Sequence, residues 1–212
     1  MKFSHVIWDW NGTLFDDVHL CVDIINGLLE RRNLKKLSLE EYHDVFTFPV
    51  KEYYSKLFDF NKESFEVLGK EWMNIYEERK DSCTLADGAY QLVSDLYQSG
   101  IKQYVLSAYS LHTLKKLLDE YGLTQYLESI KGLDNIYAHS KMELGLELIK
   151  EIGDDTDKIV MIGDTLHDAE VAHNMGIEAI LIAGGHQSEE KLRSNGNLVV
   201  GSFNELRKVL FV

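Results

Sequence analysis

Cysteine and proline are scarce in this chain, and so is positive charge. The two cysteines, Cys21 and Cys83, are too few and too isolated for a disulfide framework or a zinc site, and read as two buried reduced thiols. The one proline, Pro49, lies in Phe46-Thr47-Phe48-Pro49-Val50, where it should break a helix and make a turn. Against 35 acidic residues stand 22 Lys and Arg, a formal net charge of −13. That balance argues against binding nucleic acid or an anionic membrane and favours a soluble protein. An anionic substrate would have to be drawn in by a local cation or by backbone N–H groups, because the overall field repels it. No apolar stretch approaches the roughly 18 residues that suggest a membrane span. Met1-Lys2-Phe3-Ser4-His5 already runs into a strand, so the compartment reads as cytoplasmic. Internal repeats and low-complexity tracts are absent.

What is present is an ordinary hydrophobic share, 45% of 212 residues, enough for a substantial core in one large domain or two small ones. Apolar runs bounded by turn signals occur at Val6 to Trp8, Gln103 to Leu106, Ile159 to Ile162 and Glu178 to Ile182, with a fifth strand expected at Asn197 to Val200. They are almost continuously hydrophobic, as strands buried on both faces of a parallel sheet are. Helical spacing lies between them, as at Tyr90 to Tyr97 and Thr113 to Tyr121, and Gly100, Gly122, Gly153 and Gly176 follow such segments. Ser202-Phe203-Asn204-Glu205 has the Ser-x-x-Glu pattern of a helix start. The alternation predicts an α/β fold with a doubly wound parallel sheet. From about Asp16 to Ser82 only helical stretches occur, such as Cys21 to Leu29 and Phe65 to Tyr76. Residues 16–82 therefore read as an all-helical insertion, with 1–15 and 83–212 forming the α/β core.

Two of the strands end in acid. His5-Val6-Ile7-Trp8 closes on Asp9 in Asp9-Trp10-Asn11-Gly12-Thr13-Leu14, and Lys158-Ile159-Val160-Met161-Ile162 closes on Gly163-Asp164, with Asp168 four residues on. The ends of parallel strands are where an α/β sheet does its chemistry. Carboxylate oxygens suit Mg²⁺, and a carboxylate left free by the metal can attack phosphorus to give an aspartyl-phosphate. Either aspartate alone is as well read as a helix cap or turn residue; the pair at one sheet edge is harder to dismiss.

The set resembles the haloacid dehalogenase superfamily, most closely its phosphoglycolate-phosphatase-like members, with a Rossmann-like core and a helical C1-type cap inserted after the first strand. Asp9-Trp10-Asn11-Gly12-Thr13-Leu14 matches the first motif, Ser107 the second, Lys141 in Ala138-His139-Ser140-Lys141-Met142 the third, and Gly163-Asp164-Thr165-Leu166-His167-Asp168 the fourth. The resemblance implies that Asp9 attacks the phosphoryl group, and that Asp164, Asp9 and the backbone carbonyl of Asn11 hold Mg²⁺. It further implies that Ser107 and Lys141 bind phosphate and that Asp168 supports the lysine or the metal's water. The expected partner is a small phosphorylated metabolite; oligomeric state is not legible. Taken singly, Ser107 is as well read as a strand-end turn residue, Lys141 as a solvated lysine at a helix start, and Asp168 as a solvent-facing helical residue.

One residue departs from the family pattern. Phosphatases of this superfamily carry a second aspartate two positions beyond the nucleophile, as general acid and base; here it is Asn11, whose amide cannot exchange a proton in that role. Losing such help typically costs a factor of roughly 10² to 10⁴. Three explanations are open. The chain is slow, or takes esters with good leaving groups such as acyl or aryl phosphates; it uses another acid, with His167, His139, Asp16 and Asp17 to consider; or it does different chemistry. For the last, phosphonoacetaldehyde hydrolases of the superfamily also place tryptophan after the nucleophile and use a Schiff-base lysine in the cap, where Lys51 sits comparably. A weakly active phosphate-binding regulatory protein is a further alternative. The aromatic residues Tyr42, Phe46, Phe48, Tyr53, Tyr54 and Phe58 read as core of the insertion, some of them facing the site. His186, in Gly184-Gly185-His186, follows the fourth apolar run to the same sheet edge, and His19 and His43 suggest no role.

Overall fold

The apolar runs assemble side by side. The computed structural model describes residues 2–133, 140–194 and 196–211. In chain order, β1 (His5–Trp8) leads through β2 (Phe15–Asp16) into the helices α1 (Val18–Arg31), α2 (Leu39–Val45), α3 (Val50–Ser55) and α4 (Phe65–Arg79), and the chain returns at β3 (Thr84–Leu85). There follow α5 (Ala89–Gln98), β4 (Lys102–Ser110), α6 (Leu111–Glu120), β5 (Ser129–Leu133), α7 (Lys141–Ile152) and β6 (Ile159–Gly163). The chain continues through α8 (Leu166–Met175), β7 (Glu178–Ile182), α9 (Glu189–Arg193), β8 (Leu198–Val200) and α10 (Phe203–Leu210).

Six strands form one sheet in the order β5-β4-β1-β6-β7-β8, with every neighbouring pair parallel. Strand β1 is central, and the chain adds strands outward on either side of it, so the order reverses there. A crevice opens beyond the strand ends at such a point.

Burial explains why β1 is apolar throughout. Val6 and Trp8 pack into the core on one face of the sheet, and Ile7 packs with Leu148 and Met161 on the other. Burying a side chain of this size is worth about 1.5–3 kcal/mol. The one amide in this layer is satisfied: Gln103 accepts from Trp8 Nε1 at 3.0 Å and donates to the Val93 carbonyl at 2.8 Å. Strand β5 joins the edge although no apolar run predicts it. Its sequence Ser-Ile-Lys-Gly-Leu is only half-buried, so it lacks the continuous hydrophobicity of its neighbours.

Between β1 and β4 the chain is helical apart from a two-stranded antiparallel ribbon. Phe15 pairs with Leu85 and Asp16 with Thr84, tying together the two crossings between the sheet and helices α1 to α4. In α1 the buried residues Val18, Cys21, Ile25, Leu28 and Leu29 share one face. Pro49 stands between α2 and α3, as the break it was expected to make. Among the described residues, no helix is long and apolar enough to cross a membrane.

Candidate active site

Strand ends deliver the acidic groups. Asp9 follows β1 and Asp164 follows β6, next to each other in the sheet; both are buried, at 6% and 1% exposure. The turn after β1 is closed by the Thr13 and Phe15 N–H groups, which both donate to the Trp10 carbonyl. It aims the Thr13 hydroxyl at both acids, 3.2 Å from Asp164 Oδ1 and 3.5 Å from Asp9 Oδ2. Asp164 Oδ2 accepts from the backbone N–H of His186 at 2.6 Å. A Cβ at Gly12, where φ is +73°, or at Gly185 would run into the Asp164 carboxylate, so both positions need glycine for the backbone to approach this closely.

Lys141 enters from the opposite side. It is the first residue of α7, after the N-cap Ser140, and a lysine in a helix's first turn opposes the helix dipole. Two carboxylates compensate: Lys141 Nζ donates to Asp9 Oδ1 and, at 2.5 Å, to Asp168 Oδ1. It is thus a buried, paired cation rather than a solvated one, and its two acidic partners outweigh burial to raise its pKa. Asp168 has two tasks. Its Oδ2 completes a capping box with Thr165 at the start of α8, accepting from Thr165 N at 3.0 Å and Thr165 Oγ1 at 2.6 Å, while Oδ1 holds the lysine. Burial pushes Asp168 up, but Lys141 and Thr165 prevail and hold it below the usual carboxylate range.

Carboxylate oxygens of Asp9, Asp164 and Asp168 lie within 4.8 Å of one another. With Asp168 committed to Lys141 and Thr165, Asp9 and Asp164 are the pair left to meet a cation. Burial pushes Asp9 up to about 8 against the pull of Lys141, and Asp164 up to about 6 against that of His186. Two buried carboxylates held near each other, with oxygen donors only, suit a hard divalent cation, which would offset the cost of ionising both.

Asn11 is committed elsewhere. Its amide donates to Asp17 Oδ2 at 2.7 Å and to the Tyr76 hydroxyl at 2.8 Å. Tyr76 in turn donates to Asp17 Oδ2 at 2.7 Å, and Gly12 N to Asp17 Oδ1 at 2.9 Å. His186 Nε2 is 3.4 Å from Asp17 Oδ1, while its Nδ1 meets the Tyr42 hydroxyl at 2.9 Å. Burial works against charge at both Asp17 and His186, yet these contacts win: Asp17 is held below the usual range and His186 is pushed up to about 9. Asp17 is therefore ionised and unsuited to give a proton.

A cavity of about 310 Å³ opens over these groups, lined by Asp9, Asn11, Ser107, Lys141, Asp164 and Asp168 at its floor. Ser107 is buried, and its Oγ accepts from Tyr109 N at 3.1 Å. Strand β4 runs on past Leu106, with its pairing to β5 shifting register between Leu106 and Ser110 where Ser107 lies. Such irregularities re-aim side chains beside sites. The cavity roof is aromatic and comes from α2, α3 and α4 and the Phe46–Phe48 turn.

The structure thus brings together Asp9, Asn11, Ser107, Lys141, Asp164 and Asp168. Of the candidate acids, Asp16 is exposed on the ribbon, His167 lines the cavity but stacks on Phe48 with ring centroids 4.7 Å apart, and His139 lies outside the described residues. Lys51 is exposed on α3, its Nζ 6.0 Å from the centre of the Phe65 ring and outside the cavity lining, so the amine named for the Schiff-base reading is not a buried one. Sequence reasoning did not find the roles of Tyr76, Gly185 and His186. Tyr76 is 65 positions from Asn11 with no local signal, while His186 had one, its place after a strand at the same sheet edge.

Comparison with known proteins places these features in a wider group. A family described as haloacid dehalogenase-like hydrolase matches residues 6–182. A phosphoglycolate phosphatase of Caulobacter vibrioides is 24% identical, over 96% of this chain and 89% of its own. Among solved structures, one described as a predicted phosphatase from Clostridium acetobutylicum superposes with a TM-score of 0.82 at 23% identity, covering 100% of this chain and 99% of its own. A haloacid dehalogenase-like family protein of Streptococcus pneumoniae also reaches 0.82, at 14% identity over 98% of this chain and 99% of its own.

Proposed function

Since the chain belongs to the haloacid dehalogenase-like hydrolase family, we propose that it is a Mg²⁺-dependent phosphatase that hydrolyses a small phosphate monoester through an aspartyl-phosphate. The observation that carries this reading is the buried pair of strand-end acids, Asp9 and Asp164, with Lys141 across from them. Asp9 is the nucleophile. Asp9, Asp164 and the carbonyl of Asn11 would hold Mg²⁺, which would supply positive charge between the attacking carboxylate and the phosphate. The Ser107 hydroxyl and Lys141 ammonium grip phosphate oxygens, and Asp168 positions Lys141. Helices α1 to α4, within residues 16–82, act as a cap that excludes water from the floor. The free thiols of Cys21 and Cys83 fit a cytoplasmic enzyme. The test is release of orthophosphate from a panel of small monoesters. Turnover should require Mg²⁺ and stop with EDTA; steady turnover in EDTA would exclude the metal's part.

Asn11 shapes the proton transfer. An aspartate there would face the ionised Asp17 in place of the present 2.7 Å amide contact, and two such carboxylates cannot both ionise. Asn11→Asp alone should therefore be held protonated, able to give a proton, and raise turnover of alkyl phosphates by about tenfold or more, whereas adding Asp17→Asn, whose amide favours the ionised form at position 11, should lose part of that gain. Measured kcat for an alkyl ester in the two variants decides this. Equal rates in both would mean that Asp17 does not set the charge allowed at position 11.

A further inference from the structure

We infer that the preferred substrate is an aryl phosphate, a phosphate ester of a phenol that carries no second anionic group. The inference rests on the phosphatase reading above and deepens it by naming the substrate class. Two observations converge. The first is the cavity wall. Above the acidic floor the lining is aromatic, with Phe48, Tyr53, Tyr54, Phe65, Trp72 and Tyr109 among its residues. Rings of this kind hold another ring by offset or edge-to-face contact. The second is charge. Among the described residues lining the cavity, Lys141 is the only lysine or arginine, and it already serves Asp9 and Asp168 at the floor. The two lining histidines are also engaged, His186 with Asp17 and Tyr42, and His167 with Glu170 and Phe48. A second carboxylate or phosphate on the leaving group would be buried among rings without a cation, which is costly.

The chemistry at Asn11 points the same way. As an Asp9 carboxylate oxygen bonds to phosphorus, the ester P–O bond breaks with its electron pair on the leaving oxygen. Asn11 has no proton to give that oxygen, because an amide does not release one in this role, and its N–H groups are held by Asp17 and Tyr76. A phenol, with a pKa near about 10, leaves as its anion far more readily than an aliphatic alcohol, and takes its proton from water after release. Water then attacks phosphorus, breaks its bond to Asp9, and leaves orthophosphate and the free carboxylate.

The experiment compares kcat and KM, with Mg²⁺, for phenyl phosphate, benzyl phosphate, propyl phosphate and phosphoglycolate. Benzyl and propyl phosphate both release an alkoxide, so their difference reports ring recognition; phenyl and benzyl phosphate both carry a ring, so theirs reports the leaving group. The expected order of kcat/KM is phenyl, benzyl, propyl and then phosphoglycolate, with benzyl ahead of propyl by about tenfold or more through KM. Propyl phosphate or phosphoglycolate matching benzyl phosphate would overturn the inference and leave the phosphatase reading standing. No orthophosphate from any ester would overturn that reading, and the inference with it.

Discussion

Asp9→Asn should lower turnover by at least about 10⁴-fold, since an amide oxygen cannot serve as the nucleophile that splits the reaction into two steps. The same change should not weaken the fold in EDTA. In the metal-free protein, burial pushes Asp9 from an ordinary 3.8 up to about 8, so folding favours its protonated form. The stability this group contributes is complete below about pH 4 and is lost as pH rises through 8. Asparagine carries no charge to desolvate and still offers Lys141 an oxygen. The variant should therefore match the parent at acid pH and become progressively the more stable of the two towards pH 8. Urea denaturation across that range, with EDTA present, checks the sign. A variant less stable at pH 8 would mean that Lys141 stabilises the Asp9 charge more than burial opposes it.

Lys141→Met should be costly to both fold and activity. It leaves the buried carboxylates of Asp9 and Asp168 without the cation that both contact. Breaking a buried ion pair from one side typically destabilises by about 3–5 kcal/mol. For a chain of this size that lowers Tm by on the order of 10 °C. Turnover should fall by roughly 10²- to 10³-fold, the usual loss when one charge-stabilising donor is removed. Added Mg²⁺ should recover part of the stability, because it would supply positive charge to Asp9 and bind only the folded state. Calorimetry with and without Mg²⁺ measures both effects. A metal-free Lys141→Met protein with an unchanged Tm would show that the lysine does not balance these acids.

Much of the fold was legible because burial leaves its mark on composition. Strands β1, β4, β6, β7 and β8 bury apolar residues on both faces of the sheet, and the runs stand out. Strand β5 and the β2–β3 ribbon escaped notice for the converse reason: the first is a half-buried edge, and the second pairs only two residues from each side. Asp9 and Asp164 were legible because each interrupts an apolar run at its end. Lys141 was found only through likeness to a known motif, since α7 begins there with an ordinary Ser-x-x-Glu capping box. Asp17 stands at the N-cap position of α1. Its side chain makes no capping bond and turns instead to Gly12, Asn11 and Tyr76. That arrangement joins residues far apart in the chain, and only the folded structure reveals why position 11 holds an amide.

The central claim, that Asp9 carries the phosphoryl group during turnover, is tested most directly by trapping it. Without an acid or base at position 11, water's attack on the aspartyl-phosphate is also unassisted, so the intermediate should accumulate. Acid quenching during steady turnover of phenyl phosphate with Mg²⁺, followed by peptide mass spectrometry, should find one phosphoryl group on the peptide containing Asp9. Hydroxylamine should remove it, and the Asp9→Asn protein should lack it. Phosphorylation of a different residue that keeps pace with turnover would contradict the account.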